Sequence, residues 1–165
     1  VYKEDPIHQQ LVSVNETLNT AMNNIRESVH DLHDDSIDLK QAILEATKEM
    51  RKDYQVHLEY DMAEPIPRKV KYCFIATVKE AMSNIVKHSN ADKVEIILRE
   101  HPAFYQLCIE DNGQGAKINN TDTGIGLVNM KDRVEALHGT LHINTEKGFR
   151  ILISIRKTEE EVCEQ

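Results

Sequence analysis

Glu80-Ala-Met-Ser-Asn-Ile-Val-Lys-His88 is the stretch on which the reading of this chain turns. At helical spacing Glu80, Asn84, Lys87 and His88 share one side, at i, i+4, i+7 and i+8. They border the apolar stripe of Val78, Ala81 and Ile85, so the pattern predicts a helix with its polar edge at the rim of a core. An acid, an amide and two potentially cationic groups there could hold a metal and an anion. Taken alone, the stretch also fits an ordinary amphipathic helix with a solvated edge.

Outward from it, the apolar stripe continues back through Phe74 and Val70 to Pro65 and Pro67, which open the helix. Ser89, Asn90, Ala91 and Asp92 close it. Upstream, Tyr54, Val56, Leu58 and Tyr60 alternate with Gln55, His57 and Glu59 as in a half-buried strand. Downstream, residues 94–99 and 104–110 read as two strands joined at His101 and Pro102 in an antiparallel hairpin. Directly after the second comes Asp111-Asn-Gly113-Gln-Gly115. An acid at a strand end can accept from the amine of a heterocycle, and Gly113 permits a close, flat approach. Asp-Asn-Gly is also a common surface turn.

A polar segment, 116–123, leads into Gly124-Ile125-Gly126-Leu127 at the start of a helix running to about Leu137, with Leu127, Met130, Val134 and Leu137 on its buried side. Backbone N–H groups at a glycine-rich helix start form an anion site. A flexible loop before a capped helix would look the same. Residues 140–145 and 149–156 alternate as a last hairpin across Glu146-Lys147-Gly148, with Phe149, Ile151, Ile153 and Ile155 facing in.

At the other end, Leu11, Leu18, Ile25 and Leu32 recur every seven residues with Val14, Met22 and Val29 between them. This is the heptad pattern of a bundle or coiled-coil helix, and it needs a partner helix to bury its seam. Dimerisation is the expectation. Asp34, Asp35 and Ser36 offer caps for a further helix at 37–51, and the boundary between the two parts falls there.

Bulk composition narrows the classes. A net charge of -8 and a pI near 5.5 argue against a nucleic-acid binder, which needs clustered Lys and Arg. No apolar run approaches the roughly 20 residues that cross a bilayer, and no signal peptide is visible. Cys73, Cys108 and Cys163 have no metal-ligand spacing, and Cys73 and Cys108 lie in apolar segments, as buried thiols of a reducing compartment do. The chain begins with Val1, so a preceding segment is expected to be missing.

Helix Glu80/Asn84/His88, strand-end Asp111-x-Gly113-x-Gly115 and Gly124-x-Gly126-Leu127, in that order, are together far more specific than any one of them. In this respect the chain resembles the ATP-binding catalytic domain of two-component sensor histidine kinases, within the wider group that includes gyrase, the mismatch-repair ATPases and the heat-shock chaperone ATPases. The likeness covers about 39–157. Ile-Arg-Glu-Ser-Val-His-Asp-Leu at 25–32 and Gly126-Leu-Val-Asn-Met-Lys-Asp-Arg133 are similar to the nitrate-sensor and thermosensor subfamily, which signals to response regulators with helix-turn-helix output domains.

The resemblance implies an α+β chain with a two-layer α/β sandwich, the Bergerat or GHKL ATPase fold, whose mixed sheet of about five strands is covered on one face by helices. It implies three regions: 1–36 as the second helix of a dimerising, phosphotransfer hairpin, 37–157 as the ATP-binding domain and 158–165 as an acidic tail. Asn84 would offer its amide oxygen to Mg²⁺, and Lys87 and His88 would contact the phosphates. Asp111 would accept from the adenine amino group, with Gly113 and Gly115 shaping its pocket. Gly124, Ile125, Gly126 and Leu127 would close over the triphosphate. Glu80 would orient Mg²⁺ or a metal-bound water while the γ-phosphoryl passes to a histidine.

Two departures stand out. Gly148-Phe149 replaces the family's usual Gly-Thr near the final strand. His33-Asp34 imitates the phosphoacceptor, yet too little chain follows it for the second helix of the hairpin, so the acceptor is expected upstream of Val1. The implied setting is the cytoplasmic portion of a bacterial membrane sensor, dimeric through its N-terminal helix, with no direct nucleic-acid contact and membrane attachment only through an absent sensor region. The alternatives are a freestanding serine kinase of the anti-sigma type, against which the heptad helix speaks, and a non-catalytic nucleotide-binding or dimerisation module.

Overall fold

The computed structural model describes residues 37–115 and 125–158, together with Val14, Leu18 and Ala21. The chain divides into two compact units, Val1–Ser36 and Ile37–Gln165. In the first, Val14, Leu18 and Ala21 are helical, and Val14 and Leu18 are each 56% exposed. The remaining heptad positions and His33 lie outside the described residues, as do 116–124 and the tail from 159.

The second unit begins with helix α1 (Leu39–Thr47), a 3-10 turn (Met50–Lys52), strand β1 (Gln55–Asp61) and helix α2 (Arg68–His88). Strands β2 (Lys93–Glu100) and β3 (Phe104–Asp111) follow, then helix α3 (Ile125–Ala136) and strands β4 (Thr140–Asn144) and β5 (Arg150–Arg156). The strands make one 5-stranded sheet in the order β1-β2-β3-β5-β4. β1 pairs parallel with β2, and every other pair is antiparallel. The parallel pair requires a crossover, and α2 supplies it. The expected two-layer α+β sandwich with a mixed sheet is therefore the observed one.

Alternation decides which face is covered. Val94, Ile96 and Leu98 of β2, Tyr105, Leu107 and Ile109 of β3, and Ile151, Ile153 and Ile155 of β5 are buried in one cluster. Leu39 and Ile43 of α1, Phe74, Val78, Ala81 and Ile85 of α2, and Met130 and Val134 of α3 complete it. Because the period of a strand is two, the intervening side chains line the open face. There Arg99 pairs with Glu59 at 2.6 Å and Arg150 with Glu110 at 3.5 Å. Cys108 is on that face and half-buried, so of the two described cysteines only Cys73 is a buried thiol.

Several boundaries move from those expected. The N-cap of α1 is Asp38 rather than a residue of 34–36: its carboxylate accepts from Gln41 N–H at 2.9 Å. The helix stops at Thr47, whose hydroxyl donates back to the carbonyls of Ile43 and Leu44, each at 3.1 Å. Such back-bonding competes with continuation, and the chain tightens into the 3-10 turn. Phe149 faces in as expected, half-buried and packed against the core cluster. Two buried lysines pin the ends of the domain. Lys71 of α2 donates to the carbonyl of Ile37 at 2.9 Å and pairs with Glu64 at 2.8 Å. Lys157, just past β5, pairs with Glu100 of β2.

Candidate functional site

The C-terminal turn of α2 and the end of β3 meet, and the contact is polar. Ser89, the C-cap of α2, donates its hydroxyl to Asp111 Oδ1 at 3.1 Å, and Gly113 N–H donates to the same oxygen at 2.7 Å. Asn90 accepts from Gln114 N–H at 3.0 Å. Asn112 Oδ1 accepts from the N–H groups of Asp92 and Lys93 at 3.1 and 2.9 Å. These bonds lash the loop after β3 to the turn after α2.

Asp111 is 2% exposed. Its N–H donates to the carbonyl of Phe149 at 3.1 Å, which places it against the start of β5. While Oδ1 has its two donors, Oδ2 is buried with no hydrogen-bond partner among the described residues. A buried acceptor left without a partner costs on the order of 1–3 kcal/mol or more, so this atom calls for a donor beyond the described residues.

Gly113 allows close approach: a Cβ there would stand 2.8 Å from Asp111 Oδ1 and overlap Ser89 Oγ. Gly115 has φ of +78° and faces Thr145 O, on the turn after β4. Along α2, Glu80 and Asn84 are half-buried at the rim, and Lys87 and His88 are exposed in the last turn. Two cations also suit the negative end of the helix dipole, which is a structural reason for them beside the functional one. The first turn of α3 packs on Glu80, whose carboxylate fills the space a Cβ at Gly126 would need. Leu127 is half-buried, and Ile125 begins the helix. Gly124 is outside the described residues.

The structure thus gathers Glu80, Asn84, Asp111, Gly113 and Gly126 around α2, with Gly115 joined to the same corner through Thr145. Sequence reasoning missed two neighbours. Ser89 reads from the sequence as a helix terminator, although it is a hydroxyl five positions past Asn84. Gly148, with φ of +89°, lies beneath Asp111, where a Cβ would overlap the Asp111 carbonyl oxygen. Its place in a glycine-containing hairpin turn was the available signal. Behind Asp111, a groove of about 510 Å³ opens among Gln55, His57, Lys93, Glu95, Glu110 and Lys147. It shares Asp111 with the predicted site and no other predicted residue.

Residues 74–159 match the family model described as histidine kinase-, DNA gyrase B- and HSP90-like ATPase, and the chain belongs to that family. Among curated proteins it is 30% identical over 162 residues to the sensor histidine kinase DesK of Bacillus subtilis strain 168, covering 94% of this chain and 42% of that protein. It is 32% identical over 125 residues to the signal transduction histidine-protein kinase/phosphatase UhpB of Salmonella typhimurium strain LT2, covering 73% of this chain and 25% of that one. The chain therefore spans less than half the length of these relatives. The solved structure of the Acinetobacter baumannii histidine kinase AdeS shares the fold, with a TM-score of 0.59 at 20% identity, over 94% of this chain and 87% of that one.

Proposed function

We propose that the chain is the ATP-binding catalytic part of a two-component sensor histidine kinase. The observation that carries this is the buried Oδ2 of Asp111, unpartnered among the described residues. A carboxylate oxygen there accepts the 6-amino group of adenine, and Gly113 and Gly115 shape the pocket by letting the loop after β3 close against Ser89 and Thr145. The triphosphate then runs along the polar edge of α2. Lys87 and His88 neutralise phosphate charge, and the first turn of α3, from Ile125 through Gly126 and Leu127 with Gly124 before it, offers N–H groups to phosphate oxygens.

Glu80 and Asn84, half-buried at the rim of α2, carry oxygen donors of the kind Mg²⁺ takes, one or two beside waters and substrate phosphates. Asn84 would offer its amide oxygen to the ion, and Glu80 would help to orient it. Mg²⁺ would supply charge neutralisation at the transferring phosphoryl group. The protein's part in moving the γ-phosphoryl to a histidine is positioning and electrostatic stabilisation. The acceptor histidine belongs to a segment beyond this chain, and the phosphoryl passes on to an aspartate of a response regulator with a helix-turn-helix output domain. Residues 1–36 supply a dimerising helix, supported by the exposure of Val14 and Leu18 on one helical face. The setting is the cytoplasmic part of a membrane sensor.

The test is calorimetric titration of the chain with a non-hydrolysable ATP analogue, with and without Mg²⁺, beside Asp111→Asn. The variant turns a pure acceptor into a group that also donates. We expect saturable binding, strengthened by Mg²⁺ and weakened at least about tenfold by Asp111→Asn. A folded chain that binds no nucleotide would leave the non-catalytic module as the better account.

A further inference from the structure

The hydroxyl of Ser89 is constrained on both sides. It accepts from Ala91 N–H at 3.1 Å, and its one proton goes to Asp111 Oδ1 at 3.1 Å. Gly113 N–H reaches the same oxygen at 2.7 Å from the other segment. Two donors from two pieces of chain hold one oxygen of the carboxylate and so fix the direction of the other. That other oxygen is the buried Oδ2, which has no partner among the described residues.

We propose that Ser89 is a positioning residue that sets the base specificity of the site: by locking Asp111 Oδ1, it makes Oδ2 a rigid acceptor that admits a 6-amino purine and rejects a 6-oxo purine. This rests on the nucleotide reading of Asp111 given above. An amino group donates to Oδ2, whereas a 6-oxo group brings a second lone pair against it. The repulsion discriminates only if the carboxylate cannot turn away. Without the Ser89 hydroxyl, the Gly113 N–H is the one remaining donor to the side chain among the described residues, and either carboxylate oxygen can take it. Asp111 is then free to rotate, the amino group loses a fixed partner and the oxo group loses a fixed opponent.

The experiment is calorimetric titration of the full 165-residue chain, as wild type, Ser89→Ala and Ser89→Thr, with ATP and with inosine triphosphate. The wild type is expected to prefer ATP by about tenfold or more. Ser89→Ala should weaken ATP about tenfold while changing inosine triphosphate less than about twofold, so that the preference collapses. Ser89→Thr keeps the hydroxyl, and the extended backbone at this position (φ -102°, ψ 144°) accommodates a β-branched side chain, so it should retain the preference. Equal weakening of both nucleotides by Ser89→Ala, or an unchanged ratio, would assign Ser89 to helix capping alone and overturn the proposal. A wild type that binds both equally would overturn it too. A wild type that binds neither would remove the nucleotide reading and this role together.

Discussion

A methyl group at Gly148 would overlap the backbone oxygen of Asp111, in a residue whose φ of +89° is already in the left-handed region. Both features act against any other residue, and the atom in the way is backbone, which cannot step aside. Gly148→Ala is expected to lower stability by about 2–3 kcal/mol in urea unfolding and to weaken nucleotide binding by shifting Asp111. At Gly126 the obstacle is the end of the Glu80 side chain, which can swing. Gly126→Ala should therefore leave the urea midpoint nearly unchanged and displace Glu80. This contrast explains what the sequence disclosed at the residue scale. Asp111 and Asn84 announce themselves by chemistry and spacing within one motif. Ser89 and Gly148 matter through contacts to Asp111 from 22 and 37 positions away, and no local pattern encodes such a meeting.

Elements were legible where periodicity was strong. The alternation of Phe104–Asp111 and Arg150–Arg156 follows the buried face residue by residue, and the long apolar stripe of α2 begins and ends within a few residues of expectation. Ends were less legible because hydrogen bonds decide them. The close of α3 is an example: His138 N–H donates to Glu135 O and Gly139 N–H to Val134 O, each at 2.9 Å, with His138 at φ of 52°. The left-handed position is thus held by histidine, while the adjacent Gly139 serves close packing, a Cβ there standing 2.9 Å from Ser154 O. Replacing a side chain in that conformation with none should help. His138→Gly is expected to stabilise the domain by about 1 kcal/mol in thermal unfolding, and a loss of stability would show that the histidine side chain has a role of its own.

At the scale of the molecule, a buried thiol and a half-buried phenol set an alkaline limit. Burial pushes the Cys73 thiol up from 9.0 to about 11, opposed by Arg133 and Thr77. Burial, then the charges of Glu64, Asp38 and Glu100, push the Tyr60 phenol up from 10.0 to about 12. Both groups give up a proton more readily in the unfolded chain, so each contributes stability that is whole below its unfolded value and lost as pH climbs through its folded one. The urea midpoint should be insensitive to these groups up to about pH 9 and should fall above it. The fall should be shallower in a Cys73→Ala, Tyr60→Phe double variant; an identical slope would refute the assignment.

The strand order has a further consequence, in the sequence of folding events. β2 and β3 are joined by a short turn and can close early, but β1 reaches β2 only across α2, and β3 reaches β5 only after α3 and β4 have been spanned. Longer closures come later because their entropy cost precedes their reward. Asp111 receives Ser89 from the first of these long crossings and Gly148 from the second. Its surroundings are therefore complete only when the slowest pairing is, and a half-folded chain has no acceptor to present.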